Sequence, residues 1–593
     1  MTDGPGDADS SGPGRSSAPL LSAFSSPALL VPPVFLLMRK TIVAVGLFLA
    51  ATSCRGNERA GTSGETGGTL IVSVATDAGS IFPPHVTDAL GAAVRDQLYD
   101  RLADLGDDMN TIGDKDFTPR LADRWDWSAD SLSIAFHVDP KARWHDGTPV
   151  RANDVRYSYR VFSDPKVGSS VAPTIVNVDS VSVRDSLTAV VWYKSRRPEQ
   201  FYDFVYQVYV LPEHMFKDVP GEQLRTSELA RRGIGSGRFR LARWDAGQRI
   251  ELIADTANYR GRAKLDRAVW SIAPDAGAAM AQLLSGRADM LELVPPDQIA
   301  RVDSNPAVHT VPYPAFQYAF MGMNSVDPAR PSQPHPIFGD ARVRRAVSMA
   351  LDRRAMLQNV YGRIGKLSRG PFPSSIAFAD TTLQLPPYDV NQAETLLDSA
   401  GWRRPAAGST RRKNGKPLRF AITVPVSSRI RMAYAVLIQE QLAKVGIQAE
   451  LDQLQPNVML ERMFAHKFDA ALIAQFTDPS PSGYRQQWGS EGATQGGQNY
   501  VWYRNPAYDA LVDSALSTSD AGKMKAHMRR AFQIQIQDAP AVWLYDVQNI
   551  AAIHRRFQIQ PMRADGWWGH LADWTIPPGA RIDRDRIGLT PAR

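Results

Sequence analysis

The sequence contains one cysteine, Cys54, among its 593 residues. A single thiol has no partner for an intramolecular disulfide, although exported proteins usually use cysteines in pairs. Cys54 stands between an apolar run and the polar stretch RGNERAGTSGETGG, whose Gly, Ser and Thr content cannot pack a core. We therefore predict a flexible tether over residues 54–67 and a role for this cysteine other than filling a core.

Clusters of metal ligands and catalytic motifs are also missing. The 10 histidines are scattered, and none forms an HxxH or HxxxH pair, so the sequence indicates no metal site. The Gly-rich segment 233–237 lacks the helix and lysine of a phosphate loop, and no GxSxG follows a strand. His145 and Asp146 adjoin, but neighbouring side chains in an extended turn point apart, which favours a structural turn over a catalytic dyad. We expect neither enzymatic activity nor a cofactor.

Neither a long apolar run nor a strong charge imbalance follows Cys54. No stretch there is long enough to span a bilayer, and the net charge of +7 is small for a chain of this length. The densest basic run, RRKNGK at 411–416, is typical of a solvated turn, so we expect no nucleic-acid partner. The hydrophobic content of 44% and charged content of 22% are ordinary for a soluble globular protein. The chain after the tether is too long for one compact core, which predicts two or three domains.

The run MRKTIVAVGLFLAATSC at 38–54 has the order of a secretory signal. Arg39 and Lys40 form a basic start, residues 41–51 are mostly apolar, and small residues precede Cys54. This order resembles a bacterial lipoprotein signal, in which the cysteine is lipidated and becomes the mature N-terminus. Alanine stands three residues before the cysteine, where that signal usually has leucine. The resemblance implies a signal peptide over 38–53 and an acylated Cys54 that anchors an exported protein to the cell membrane, facing the periplasm or the cell exterior.

The residues in front of Met38 do not fit this order. Residues 1–37 hold Gly, Ser, Pro and Asp, followed by a second apolar run. A transmembrane anchor over about 28–51 is the alternative, but Arg39 and Lys40 near its centre would cost several kcal/mol, and two prolines interrupt it. We predict that Met38 is the true start and that 1–37 is an upstream extension.

Helical and strand patterns alternate along the rest of the chain. Residues 68–75 form a short apolar run typical of a strand, and 89–105 carry apolar residues at helical spacing before a glycine. Residues 121–138 predict two strands joined by a turn. An amphipathic stripe behind Asp340 predicts a helix capped by that residue. This alternation predicts α/β lobes.

The segment 121–159 carries the most specific pattern, LADRWDWSADSLSIAFHVDPKARWHDGTPVRANDVRYSY. It resembles the signature of the family 5 extracellular solute-binding proteins, the dipeptide-, oligopeptide- and nickel-binding family of ABC importers. Further segments resemble that family in the same order along the chain: GIGSGRFRLARW, FGDARVRRAVSMALDRRAM, YDVNQAETLLDSAGW, QEQLAKVGIQAEL and NYVWYRNPAYDALVDSA. The resemblance covers about residues 68–565.

The resemblance implies a two-lobed, periplasmic-binding-protein-like α/β fold, with mixed sheets flanked by helices and an extra subdomain in the first lobe. We predict lobe I over 68–322, lobe II over 323–543, and a C-terminal return to lobe I over 544–593. A hinge between the lobes would close them on a small solute, with oligopeptides among the candidates. The implied partners are ABC permease and ATPase subunits, and we expect a monomer.

One loop of the second lobe bears on the ligand, ALIAQFTDPSPSGYRQQW at 471–488. In peptide-binding members of the family, an aspartate a few residues before a DP pair binds the α-ammonium group of the ligand. Such a group needs a charge partner once it is buried. Gln475 holds that place here and carries no charge. Either Asp478 takes the role or this member does not read a free peptide N-terminus, and Asp478 is equally typical of a turn before proline.

The other ligand-binding candidates are aromatic or lie in TDAGSIFPP at 76–84, which resembles a first-lobe segment that faces the cleft. A cleft lined by aromatic residues suits a ligand enclosed by two lobes, whereas ordinary packing is the alternative for each ring. The full set of candidates is Ser80, Ile81, Phe82, Gln475, Phe476, Asp478, Tyr484, Trp488, Trp502 and Trp567.

The sequence does not identify the ligand. An oligosaccharide, a metal chelate or an opine-like molecule would suit the same fold as a peptide does. A solute sensor that works without a transporter is a further alternative.

Overall fold

The structure is a computed structural model that describes residues 66–589. The signal peptide, Cys54 and nearly all of the tether lie outside the described residues, so these predictions stay predictions. Among the residues that are described, no helix is both long and apolar enough to cross a membrane.

The strands are short apart from two that run through the middle of the molecule. They are β1 (Thr69–Val74), β2 (Ala103–Leu105), β3 (Phe117–Pro119), β4 (Ala122–Trp127), β5 (Ser133–Val138), β6 (Val178–Asp185), β7 (Thr188–Tyr193), β8 (Phe239–Asp245), β9 (Arg249–Ala254), β10 (Arg267–Ile272), β11 (Met290–Leu291), β12 (Val308–Met323), β13 (Val326–Asp327), β14 (Arg330–Pro334), β15 (Lys366–Leu367), β16 (Arg412–Lys413), β17 (Lys416–Pro417), β18 (Arg419–Pro425), β19 (Gln448–Leu454), β20 (Ala470–Phe476) and β21 (Ala541–His554).

The longer helices are concentrated in the second half of the chain. The helices are α1 (Ala89–Leu98), α2 (Ala152–Ser163), α3 (Gln200–Val205), α4 (Glu213–Phe216), α5 (Glu228–Arg231), α6 (Ala276–Leu284), α7 (Ile299–Asp303), α8 (Ala341–Met349), α9 (Arg353–Tyr361), α10 (Val390–Ser399), α11 (Arg429–Lys444), α12 (Pro456–Phe464), α13 (Ser482–Trp488), α14 (Pro506–Ser517) and α15 (Ala521–Asp538).

One mixed sheet runs through both lobes, with strand order β19-β18-β20-β12-β21-β11-β1-β10-β9-β8 and β15 paired to β21. The central strands β12 and β21 are antiparallel to each other along their length. Residues 308–314 of β12 pair with 548–554 of β21 beside the first-lobe strands, and residues 317–323 pair with β20. The pairing of β12 with β21 shifts its register between Pro314 and Tyr318. At this irregularity β12 passes from the first-lobe half of the sheet to the second-lobe half.

Helices cover both faces of the sheet in the second lobe. Neighbouring strand residues point to opposite faces, and Met321 lies in a different buried cluster from Phe320. The cluster of Met321 also contains residues of α8, α10 and α11, whereas that of Phe320 contains residues of α12 to α15. The predicted capping of α8 is confirmed, because Asp340 accepts a hydrogen bond from the N–H of Arg342. The two-lobed α/β fold with mixed sheets flanked by helices is therefore confirmed.

A second sheet of four antiparallel strands, in the order β4-β5-β7-β6, forms a subdomain of the first lobe with α2. The turn at His145 ties this subdomain to the Gly-rich segment 233–237. The Nδ1 of His145 accepts a hydrogen bond from the N–H of Gly235 at 3.1 Å, and its Nε2 lies 2.9 Å from the carbonyl oxygen of Gly237. The histidine thus has a structural role, as the turn interpretation predicted.

The predicted helix over 89–105 is too long. It ends at Leu98, Tyr99 is extended, and residues 103–105 form β2. The cause lies far away in sequence, because the N–H of Gly237 donates to the carbonyl of Leu98 at 2.8 Å. A Cβ at Gly235 would lie 1.9 Å from that carbonyl oxygen, so only glycine allows this segment to pack against the end of the helix.

The C-terminal segment packs on the first strand of the chain. The carboxylate of Asp585 accepts a hydrogen bond from the N–H of Thr69 at 2.8 Å. Arg556, which follows β21, forms buried ion pairs with Asp585 and, at 2.8 Å, with Asp289. Arg556 also donates to the carbonyl of Thr69 at 3.1 Å. These contacts join the two ends of the described chain within the first lobe.

Candidate functional site

The carboxyl ends of parallel strands in the two lobes point toward each other. Strand β11 runs in the same direction as β12, since both are antiparallel to β21, and β1 and β10 run parallel to it. These strands therefore run toward the second lobe. Strands β18, β19 and β20 run toward the first lobe, because β20 is antiparallel to β12 and the other two are parallel to β20. Ligands of open α/β sheets bind outside the carboxyl ends of the strands, so the space between these ends is the candidate cleft.

Segments of the two lobes touch across the cleft. The carboxylate of Asp297, in the first lobe, lies 3.2 Å from the guanidinium of Arg429 at the start of α11. The hydroxyl of Ser480, in the loop after β20, donates to the carboxylate of Glu199 at 2.8 Å. Glu199 belongs to the first lobe, where it is the N-cap residue of α3. The two lobes are thus in contact.

Exposed apolar side chains lie at or just after the carboxyl ends of three of the strands that end at the cleft. Phe476, the last residue of β20, is 66% exposed, Leu293 after β11 is 56% exposed, and Val426 after β18 is 42% exposed. Large apolar side chains with this exposure often mark a binding surface when they lie together with polar groups in a concave site. The cleft therefore offers apolar surface from both lobes.

Asp478 is both a turn former and a carboxylate that water reaches. Its Oδ1 accepts a hydrogen bond from the N–H of Ser480 at 2.9 Å, which closes the turn before proline. The residue as a whole is exposed, but partial burial of its carboxyl group raises the pKa of Asp478. A positive group of a ligand would remove that penalty by pairing with the ionised form.

Two carboxyl groups on α3 lie close to Asp478. Burial raises the pKa of Glu199 to about 7, and the negative charge of Asp478 adds to this effect. Hydrogen bonds from Thr111 and Ser480 lower the pKa but do not cancel the increase. Burial also raises the pKa of Asp203 to about 8, and the charges of Glu199 and Asp478 add to the effect. Acidic groups from both lobes therefore meet beside the cleft.

Half of the predicted ligand-binding residues are buried. Ile81, Phe82, Tyr484, Trp488 and Trp567 each expose at most 2% of their surface. The indole Nε1 of Trp488 donates to the hydroxyl of Tyr318 at 2.8 Å, and its ring packs on Phe320 and Trp543. Ordinary packing, the alternative interpretation, describes these residues.

Trp502 lies at the opposite end of β20 from Asp478. Its ring lies 4.2 Å from that of His466, and His466 precedes the amino end of β20. Asp478 follows the carboxyl end of the same strand, so the length of β20 separates them, roughly 20 Å at 3.3 Å per residue. The candidates that the structure leaves accessible near the strand ends are Ser80, Gln475, Phe476 and Asp478.

Sequence reasoning missed Glu199, Asp203, Leu293 and Val426. Glu199 and Ser480 are 281 positions apart in the sequence, and no local pattern marks them as neighbours. The available signal was weaker: an exposed apolar residue directly after a buried strand that ends at the cleft. In the described range 66–589, no group of three or more His, Cys, Asp or Glu side chains is placed to hold a metal ion.

Comparison with known proteins gives a consistent result. Residues 116–496 match the family model described as bacterial extracellular solute-binding proteins, family 5 Middle. The oligopeptide-binding protein AppA of Bacillus subtilis is 25% identical over 558 residues, covering 90% of this chain and 98% of AppA. The probable D,D-dipeptide-binding periplasmic protein DdpA of Escherichia coli is 24% identical over 512 residues, covering 83% of this chain and 92% of DdpA.

Solved structures share the fold. The structure of AppA from Bacillus subtilis in complex with a nonapeptide matches with a TM-score of 0.64 at 25% identity, covering 86% of this chain and 99% of that one. The substrate-binding protein CtaP of Listeria monocytogenes matches with a TM-score of 0.73 at 21% identity, covering 86% of this chain and 99% of CtaP. The family model matches more than half of this chain, so the chain belongs to the family 5 bacterial extracellular solute-binding proteins.

Proposed function

We propose that this protein is the substrate-binding component of an ABC importer and captures a peptide-like solute between its lobes. The observation that carries the proposal is the cleft itself, where opposed strand ends bring the water-accessible carboxylate of Asp478 together with the exposed ring of Phe476. A peptide presents both partners, an ammonium group and apolar side chains. The nonapeptide complex of AppA supports a peptide ligand, since AppA covers nearly the same length.

Binding without chemistry is the mode of action that we propose. Closure would desolvate the ligand and its polar contacts together, and the crossover strands β12 and β21 would flex at the register shift near 314–318. The predicted boundary after residue 322 lies a few residues further along β12, within the part paired to β20. The proposed delivery partners are a membrane permease and its ATPase subunits.

The test combines binding with a measurement of shape. Native mass spectrometry of purified protein identifies any co-purified solute, and calorimetric titration with a tripeptide library gives affinities. We expect submicromolar binding of at least one free peptide and a smaller radius of gyration by small-angle scattering when it is bound. Binding without compaction would contradict the closing mechanism, and failure of every peptide would contradict the ligand class.

We also propose that Cys54 carries a lipid that holds the protein at the membrane surface. The support is the signal order before the cysteine and the Gly- and Ser-rich tether after it. Changing Cys54 to alanine should move the protein from the membrane fraction to the soluble exported fraction, and labelled palmitate should no longer be incorporated. A Cys54→Ala protein that stays with the membrane would refute the lipid anchor while leaving the binding function intact.

A further inference from the structure

Helix α3 of the first lobe and residues 477–482 of the second form one polar contact, which we call the seam. Ser480 links its two sides, because its N–H donates to Asp478 at 2.9 Å and its hydroxyl donates to Glu199 at 2.8 Å. Asp203 follows Glu199 by four residues, so the two carboxyl groups lie about one helical turn apart, on the same side of α3. The seam therefore brings three carboxyl groups from two lobes into one region.

The carboxyl groups of the seam lack a full set of cationic partners. Arg197 lowers the pKa of Asp203, but burial and the charge of Glu199 have larger effects in the opposite direction. Glu199 is held by two hydroxyl donors, Thr111 at 2.5 Å and Ser480 at 2.8 Å. Partly buried carboxylates without a cation are unfavourable in their ionised form. The seam thus has a deficit of positive charge.

A buried acceptor without a partner lies in the second lobe near the seam. Gln487 is 8% exposed, and its Oε1 has no hydrogen-bond partner, while its Nε2 donates to the carbonyl of Phe476 at 3.1 Å. The amide lies in the neighbourhood of Asp478, because the Nε2 of Gln487 and the Oδ1 of Asp478 lie 3.8 and 3.9 Å from the point that a Cβ on Gly483 would occupy. A buried acceptor of this kind lacks a donor.

We propose that the seam binds a dicationic end of the ligand, with one positive group at Asp478 and the second at Glu199 and Asp203. In a peptide, this end is a free amino terminus next to a basic side chain. The inference rests on the proposed function and narrows it, since a monocationic amino terminus neutralises only one of the three groups. A ligand that pairs with carboxylates of both lobes also stabilises the closed arrangement directly.

The test compares two tripeptides that differ in one charge. At pH 8, calorimetry should show that Lys-Ala-Ala binds at least about 10-fold tighter than Ala-Ala-Ala, the ratio that one additional charge-assisted contact supports. At pH 5.5, below the raised pKa values of Glu199 and Asp203, protons occupy the seam, so the preference should shrink. The variants Asp203→Asn and Glu199→Gln should each reduce the ratio at pH 8. Glu222→Gln, at an exposed first-lobe position, is the matched control.

The outcomes separate this inference from the proposed function. Equal binding of both tripeptides, or a lysine preference unchanged in both variants, overturns the dicationic site and leaves the peptide function standing. If no tripeptide binds but spermidine does, and Asp203→Asn abolishes that binding, the cation site stands and the peptide function fails. If neither class of ligand binds wild type, the inference is wrong. Melting curves of each variant show whether it is folded.

Discussion

Replacing Asp478 with asparagine should weaken the binding of tripeptides with a free amino terminus by about 100-fold or more. A desolvated ammonium that has lost its charge partner costs several kcal/mol, and each 1.4 kcal/mol is a factor of about ten in affinity. Asparagine keeps an oxygen acceptor for the N–H of Ser480, so the turn should persist and the change should remove the charge alone. Calorimetry at pH 8 measures the effect. Burial raises the pKa of Asp478, so at low pH binding must first displace a proton from it.

A pair of controls makes this result specific. N-acetylated tripeptides lack the ammonium group and should bind wild type and Asp478→Asn with nearly equal affinity. Asp218→Asn removes the same charge from an exposed first-lobe position and should bind free tripeptides as wild type does. If Asp478→Asn binds free tripeptides as tightly as wild type, another group holds the ammonium, and the loop after β20 does not read the peptide N-terminus.

The position of the Asp478 carboxylate shows how precisely the sequence predicts a ligand-binding residue. Gln475 lies within β20 opposite Tyr318, where its Nε2 donates to the carbonyl of Phe476, while Asp478 lies three residues later, beyond the strand. Resemblance to a family assigns a motif to a loop. A shift of a few residues inside a loop changes neither hydrophobic periodicity nor capping, so the sequence could not decide which side chain faces the cleft.

The regular elements were more predictable because their signals are local. The stripe behind Asp340 predicted α8 together with its cap, and the alternation of strands and helices predicted the α/β lobes. The exceptions have long-range causes. Helix α1 ends early because residues near Gly237 pack on it, and the rings of Tyr484 and Trp488 fill a core whose other members come from β12, α15 and β21. Burial of an aromatic residue depends on tertiary contacts that a stretch of sequence does not contain.

Arg556 offers the largest expected effect on stability. Its guanidinium lies between the buried carboxylates of Asp289 and Asp585, and Arg584 pairs with Asp289 from the other side. Both carboxylates are inaccessible to solvent, and removing Arg556 would leave the buried charge of Asp585 uncompensated, whereas Asp289 would keep Arg584. Breaking a buried ion pair in this way costs about 3–5 kcal/mol. We expect Arg556→Ala to lower the free energy of unfolding of the first lobe by this amount.

Chemical denaturation followed by tryptophan fluorescence measures the loss, and Arg586→Ala is the matched control. Arg586 is 77% exposed and pairs with the fully exposed Asp583 at 3.8 Å, so its removal should cost well under 1 kcal/mol. Because Asp585 also accepts from the N–H of Thr69, Asp585→Ala should loosen the first strand as well, and hydrogen exchange should rise in β1. If Arg556→Ala unfolds like the control, the C-terminal segment does not stabilise the first lobe. The predicted C-terminal return to that lobe would then contribute nothing measurable to the free energy of unfolding.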